Sequence, residues 1–294
     1  MRLSLAAPAK LNLTLDVLRR RADGYHDIAS VMVPLELHDT VDLEEAPRLS
    51  LSCDRSDLPE GPDNLALAAA HLLREETGTR RGAHIHLTKR IPVAAGLAGG
   101  SADAAQVLLG LNRLWELGLG RERLLELALR LGSDVPFCTL GRPALAEGRG
   151  EQLQLLPPAP ALHLALVKLD VPKSTGDVYR SLSPERLGYT SLPSEVMDGL
   201  KRKDPAAIAR GLGNTLETVM FERFPQLEAM KRALLDAGAV AVGMSGSGPT
   251  LFALSHTAED AARLAAKVGR LASWTTATRL GWPAAALSLP DSAG

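Results

Sequence analysis

Ten residues, GLAGGSADAA from Gly96 to Ala105, constrain this chain more than any other stretch. Gly96, Gly99 and Gly100 leave the backbone bare, and an alanine-rich run follows at once. Without a Cβ, backbone N–H groups can approach a ligand closely. A helix amino terminus adds unpaired donors and positive dipole character. The stretch follows AHIHLTKRI, an alternating strand ended by Pro92. It precedes Val107, Leu108, Leu111, Leu114 and Trp115, which fall at helical spacing. Strand, glycine loop and helix in that order form an anion cradle, most often for phosphate. Ser101 is expected to cap the helix or to bond a phosphate oxygen. Asp103 suits the helix dipole, or a metal carried by a nucleotide. The plainer alternative is a tight strand-to-helix connection with no ligand.

Two familiar phosphate-loop templates fail. The Walker pattern needs Lys and then Ser or Thr after its last glycine, and Gly100 is followed by Ser101 and Ala102. The dinucleotide fingerprint needs G-x-G-x-x-G, which Gly96, Gly99 and Gly100 do not match. A second loop of the same character, GMSGSGPT from Gly243 to Thr250, strengthens the case for phosphate; its alternative is a flexible hairpin turn.

With 294 residues the chain has ample length for a buried core, as one large domain or two ordinary ones. A net charge of −1 offers no general attraction for polyanions, and 3% aromatics are poor material for stacking on single-stranded nucleic acid. No nucleic-acid or membrane partner is expected. The start, MRLSLAAPAKLNL, has no apolar signal core, and no run of roughly 18 apolar residues occurs. Cys53 and Cys138 lack metal-ligand spacing and read as buried, reduced thiols. A cytoplasmic protein is expected.

KLNLTLDVL alternates strictly, which predicts a strand with Leu11, Leu13, Leu15 and Val17 on one face and Lys10, Asn12, Thr14 and Asp16 on the other. The Asp23-Gly24 turn signal and IASVMVPLEL complete a predicted hairpin with Tyr25 and His26 near its tip. DNLALAAAHLLREETG predicts a helix with Asp63 as its N-cap and Gly78 beyond its end, and RERLLELALRLG a helix closed by Gly132. Past a linker around Pro157 to Pro160, LHLALVKL reads as a strand, DPAAIARGL and FPQLEAMKRALLDAG as helices, AVAVG and TLFALSH as strands, and AEDAARLAAKVGRL as a helix. Elements alternate irregularly after an opening hairpin, so the expected class is α+β.

PVAAGLAGGSADAA resembles the phosphate-binding motif of the galactokinase, homoserine kinase, mevalonate kinase and phosphomevalonate kinase superfamily. PAKLNLTLDVLRRRADGYHDI, LGSDVPF and GMSGSGPTLFAL follow in the order that superfamily uses. KLNLTL with DGYH and SDVPF is similar to the branch acting on a cytidine diphosphate ester of methylerythritol. The resemblance covers roughly residues 5 to 285. It implies ATP-dependent phosphorylation of that ester's 2-hydroxyl, in the non-mevalonate route to isoprenoid precursors. It also implies a two-domain fold, with an amino-terminal domain like domain 2 of ribosomal protein S5 and a ferredoxin-like carboxy-terminal domain. The expected division is 1–156 for ATP binding and 157–285 for the second domain, with 286–294 a frayed tail.

The resemblance also implies roles. Asp134 takes the proton of the attacking hydroxyl, and Lys10 lies beside it, keeping it ionised and easing formation of the alkoxide. Taken alone, the two are a turn aspartate and an ordinary strand lysine. Asn12 orients the hydroxyl or a phosphate, or is a solvated face residue. Cytosine lies between Tyr25 and Tyr179, with His26 at its edge; the alternatives are a packed hairpin tip and a partly buried helix residue. Asn64 lies near adenine, or simply caps its helix. Pro92, Val93, Ala94, Ala95, Gly96, Leu97, Ala98, Gly99, Gly100, Ser101 and Ala102 form the ATP loop, and Gly246, Ser247 and Gly248 of the second loop face the substrate. Mg²⁺ is expected to arrive bound to ATP, without a protein carboxylate cage. Ala102 stands where many superfamily members have a second serine, and Ala98 replaces a frequent glycine. A sister kinase acting on mevalonate or homoserine, and a non-catalytic nucleotide-binding protein, are the alternatives.

Overall fold

A computed structural model describes residues 1–281. The tail at 286–294, and residues 282–285 of the expected second domain, lie outside them.

The chain opens with β1 (Arg2–Asn12), β2 (Thr14–Arg20) and β3 (His26–Ala46). The alternating KLNLTLDVL segment is therefore two strands, not one, with a bend at Leu13. Both run antiparallel to the long β3, and the Leu13 N–H still donates to the Val31 carbonyl at 2.8 Å across the bend. The Asp23-Gly24 turn closes the hairpin, with Gly24 at φ +86°.

Next come β4 (Ser50–Cys53), α1 (Leu65–Thr77), β5 (Gly82–Thr88), α2 (Gly99–Leu114), α3 (Arg121–Leu131), α4 (Val135–Leu140), β6 (Ala144–Gly148) and β7 (Gln152–Leu155). β5 and β6 pair antiparallel to β3, β4 runs parallel to β5, and β7 extends β6. α1 is capped by Asn64, not Asp63: its side chain accepts from the Ala66 N–H at 3.0 Å and donates to the Pro59 carbonyl. At the other end Gly78 takes the left-handed conformation that closes helices. Val107, Leu108, Leu111, Leu114 and Trp115 are all buried, packing α2 into the core beneath this sheet.

The second lobe comprises β8 (His163–Lys168), α5 (Thr175–Arg180), α6 (Pro193–Arg202), α7 (Pro205–Gly211), β9 (Gly213–Asn214), α8 (Leu216–Arg223), α9 (Pro225–Asp236), β10 (Ala241–Met244), β11 (Thr250–Ser255), α10 (Ala258–Val268) and β12 (Trp274–Arg279). Its sheet runs β10-β11-β8-β12, antiparallel throughout. Strand, helices, hairpin, helix and strand in that order are the ferredoxin-like pattern. The molecule is a two-domain α+β protein.

The lobes share apolar packing. Leu11, Leu13, Val31 and Val33 lie in one cluster with Leu164, Leu166, Phe252 and Leu254 of the second sheet. β9 also adds in parallel to β2. This explains a departure from the expected solvated strand face. Lys10, Asn12, Thr14 and Asp16 are all buried. Buried polar groups need partners, since an unpaired one costs ~1–3 kcal/mol. Asp16 finds them across the lobes, accepting from the Thr190 and Ser191 N–H groups and from both hydroxyls. Of the two thiols, Cys138 is buried but Cys53 is only half-buried, and both are free. No helix among the described residues is long and apolar enough to cross a membrane.

Candidate active site

Lys10 and Asn12 sit two residues apart on β1, so their side chains emerge on the same face. The Lys10 ammonium donates to the Asn12 Oδ1 at 2.6 Å, and the Asn12 amide donates to the Ser30 hydroxyl at 2.7 Å. The Asn12 side chain is thus locked, and it aims the lysine. The Asp134 carboxylate stands 3.7 Å from the Lys10 ammonium. Asp134 occupies the step between α3 and α4, with Pro136 in the first turn of α4. Its side chain makes no capping bond and is 42% exposed, whereas that of Lys10 is 5% exposed. A fixed cation thus faces a reachable carboxylate.

The pair lines a cavity of about 1000 Å³. One wall is Pro92 to Gly96 and Ala98 to Ser101, with Asn64 beside them. α2 starts at Gly99, and its N-cap, Ala98, has no side-chain cap bond. Ser101 is therefore inside the helix and does not cap it. The first-turn N–H groups remain available to a ligand. Two loop residues turn away from the cavity: Leu97 and Ala102 are buried in the apolar core. Ala94 and Ala98 hold φ of +53° and +56°, a left-handed conformation costly for any residue with a Cβ.

The two glycine loops meet. The Ser245 hydroxyl donates to the Gly96 carbonyl at 3.0 Å. A Cβ on Gly96 would stand 2.3 Å from the Ser245 carbonyl oxygen, so only glycine fits. A Cβ on Gly246 would crowd the Gly96 carbonyl at 3.1 Å and the Lys10 ammonium at 3.4 Å. Gly246 and Ser247 line the cavity; Gly248 does not, and packs against Met244. Asn214, which sequence reasoning missed, holds this loop by donating to the Met244 and Gly246 carbonyls, each at 2.8 Å.

Tyr25, His26 and Tyr179 lie at another end of the cavity. Tyr25 is exposed, and the Arg149 guanidinium lies 4.9 Å from its ring centre. His26 packs on Tyr179, ring centres 5.5 Å apart and tilted by 35°. Burial, with Arg20 adding, lowers the His26 pKa, so its ring is neutral near pH 7. Burial, then the Asp134 charge, pushes the Tyr179 phenol up, so it keeps its proton.

A second ionic group lies below the glycine loop. The Lys89 ammonium is held between Asp39 and Asp103, three side chains with little exposure, of which Lys89 and Asp103 still line the cavity. Asp39 also accepts from the Arg90 N–H and, at 2.8 Å, from the Ile91 N–H, fixing the chain where it enters the loop. Asp103 is thus engaged by a lysine through one oxygen, Oδ2. Its other oxygen, Oδ1, is buried without a partner. Burial first, with Asp39 adding and Lys89 opposing, pushes its pKa up to about 7. No group of three or more His, Cys, Asp and Glu among the described residues is placed to hold a metal ion.

Two family-model matches place the chain in the GHMP class of small-molecule kinases. The model of the GHMP kinases N terminal domain matches residues 64–142, and that of the GHMP kinases C terminal domain matches 196–272. The 4-diphosphocytidyl-2-C-methyl-D-erythritol kinase of Pelotomaculum thermopropionicum is 46% identical over 95% of this chain and 98% of its own length. That of Symbiobacterium thermophilum is 48% identical over 92% and 97%. A crystal structure of 4-(cytidine 5'-diphospho)-2C-methyl-D-erythritol kinase superposes with a TM-score of 0.83 at 37% identity, covering 96% of this chain and 100% of that one. A homoserine kinase from Cytophaga hutchinsonii shares the fold at 21% identity and a TM-score of 0.74, over 96% and 95% of the two chains. The chain belongs to the 4-diphosphocytidyl-2-C-methyl-D-erythritol kinases.

Proposed function

We propose that this enzyme transfers the terminal phosphoryl group of ATP to the 2-hydroxyl of 4-diphosphocytidyl-2-C-methyl-D-erythritol, in the cytoplasm, as a step of non-mevalonate isoprenoid precursor synthesis. The observation that carries the reading is the Lys10–Asp134 pair, set in one cavity between a glycine wall and an aromatic end. Family membership supports the same substrate.

The acceptor hydroxyl attacks the terminal phosphorus, and the bond to the bridging oxygen breaks, leaving ADP with the electron pair. Asp134 takes the hydroxyl proton, and Lys10 offsets the charge that develops on the oxygen. The loop from Pro92 to Ser101 and the start of α2 receive the ATP phosphates through backbone N–H groups. Tyr25 and Tyr179 stack on cytosine, worth ~1–3 kcal/mol per ring, and neutral His26 reads its edge. Asn64 keeps its capping bond while lining the adenine side of the cavity. Mg²⁺ would be carried by the ATP phosphates and water, where it neutralises phosphate charge. The domain boundary is proposed at 156/157, between the end of β7 at Leu155 and the start of β8 at His163.

Phosphorus NMR of protein, ATP and Mg²⁺ tests the reading, with the cytidylated substrate run beside mevalonate and homoserine. A new phosphomonoester only with the cytidylated compound is expected. A product only with another acceptor would overturn the cytosine site, and silence with all three would overturn the catalytic reading.

A further inference from the structure

Lys173 precedes α5, in a segment that the sequence motifs left without a role. Its ammonium donates to the Ser247 hydroxyl at 2.7 Å, and the Thr175 hydroxyl lies 3.0 Å from the same oxygen. Ser247 and Thr175 both line the cavity. No carboxylate pairs with Lys173 among the described residues. The charged groups acting on it are Lys10 of β1 and Lys168 of β8, both cations. Burial and these like charges, in that order, lower its pKa to about 8. A half-buried lysine near two more lysines and without a carboxylate partner is costly in the empty protein. The arrangement suits an anion that arrives with the substrate.

The covalent order of the acceptor selects which anion. In 4-diphosphocytidyl-2-C-methyl-D-erythritol the diphosphate joins the base to the polyol that carries the reacting hydroxyl. Tyr179 lies six residues after Lys173 and at the aromatic end, while Gly246, beside Ser247, closes on Lys10. Lys173 itself does not line the cavity, but through Ser247 it is joined to the loop that closes on Lys10, and it precedes the helix that carries Tyr179. Of the arginines that line the cavity, Arg180 pairs with Asp177, Arg149 lies over Tyr25, and Arg20 acts on His26 at the aromatic end.

Resting on the function proposed above, we infer that Lys173 is a positioning residue for the acceptor's diphosphate. Its ammonium occupies a lone pair of the Ser247 oxygen, which directs the hydroxyl proton outward to a phosphate oxygen, and it supplies the neutralising charge. ATP, held on the glycine wall by backbone groups, does not depend on it.

The test compares wild type, Lys173→Met and Lys173→Arg by steady-state kinetics and calorimetry. Lys173→Met is expected to raise the acceptor KM about tenfold or more, as for a lost hydrogen bond involving a charged group, with kcat and the ATP KM within about twofold. Lys173→Arg should recover most of the loss. The wild-type acceptor KM should climb as pH passes about 8, where the ammonium loses its proton, and Lys173→Met should lack that rise. An unchanged acceptor KM, or an effect confined to ATP or to kcat, would overturn the inference. A second arm does not depend on turnover: titration of inorganic pyrophosphate with the donor site filled by a non-transferable ATP analogue. If the wild type fails to phosphorylate the cytidylated substrate, the proposed function falls while this arm still decides the role of Lys173. Weaker pyrophosphate binding by Lys173→Met than by the other two supports the inference; equal affinities, or no binding by the wild type, overturn it.

Discussion

Two buried lysines in this molecule face carboxylates, and the fold uses them in opposite ways. Lys89 is closed in with Asp39 and Asp103, with side-chain exposures of 4%, 0% and 3%. Lys10 is equally buried, but its partner Asp134 is 42% exposed and 3.7 Å away. The first group has its charges satisfied inside the protein, with one Asp103 oxygen left over. The second keeps a carboxylate within reach of a ligand. The same residue types thus give an anchor in one place and a reaction centre in the other, and exposure of the carboxylate separates the two.

The largest expected effect falls on the open pair. Asp134→Asn should lower turnover by ~10²–10⁴-fold, the usual contribution of a positioned general base. ATP affinity and the melting temperature should stay close to wild type, since Lys10 retains its bond to Asn12. Single-turnover kinetics beside a thermal melt would show it. An Asp134→Asn protein that turns over normally would erase the contrast between the two lysines.

Lys89→Met should reverse that pattern. Removing the ammonium leaves two buried carboxylates facing each other, and breaking such a group costs ~3–5 kcal/mol. Urea unfolding should register the loss, while whatever folded protein remains keeps most of its turnover. A variant as stable as wild type would mean that water reaches the group, which would make it resemble the Lys10 pair after all.

The closed group also has a pH signature. Asp103 is pushed from 3.8 up to about 7, chiefly by burial. A carboxyl group whose folded-state pKa is raised holds its proton more tightly when folded. Its contribution to stability is therefore complete below about pH 4 and is lost as pH climbs through about 7. Asp103→Asn removes that dependence, so the variant should gain on wild type as pH rises across that window. Urea midpoints measured over the window decide it; parallel curves would show that Asp103 stays ionised beside Lys89.

Much of this was legible where the signal is local. Gly96 to Ser101 and the Asp23-Gly24 hairpin each lie within a few residues, and strand alternation correctly put Lys10 and Asn12 on one face. That the face is buried was not legible, because the second lobe that covers the strand begins some 150 residues later. Asp39, Lys89 and Asp103 are separated by 50 and 14 residues, so no spacing rule joins them. The cap of α1 moved from Asp63 to Asn64 because the Pro59 carbonyl anchors the Asn64 amide, a contact that composition cannot rank. Ser101 looked like a cap because serine favours that position, but the bare backbone at Gly99 and Gly100 lets the helix begin earlier.

The smallest expected effect concerns the loop that ties the two lysines together. Asp39 holds its entry at Arg90 and Ile91, and the Lys10 N–H donates to the Leu97 carbonyl at 3.1 Å near its end. Between and beside these anchors, Ala98 is left-handed at φ +56°, and it packs against the amino-terminal core. Ala98→Gly relieves a conformational cost of ~1–2 kcal/mol. It gives back ~0.4–1 kcal/mol of unfolded-chain entropy and about one methyl of burial, ~0.8 kcal/mol. These offset, so stability should move by less than ~1 kcal/mol and the ATP KM by no more than about threefold. Anchors at both ends set the loop's shape, and a bare residue between them changes little. A rise in the ATP KM far beyond that, with stability unchanged, would place the loop's order in the Ala98 backbone itself, and the Lys89 group would then anchor a hinge.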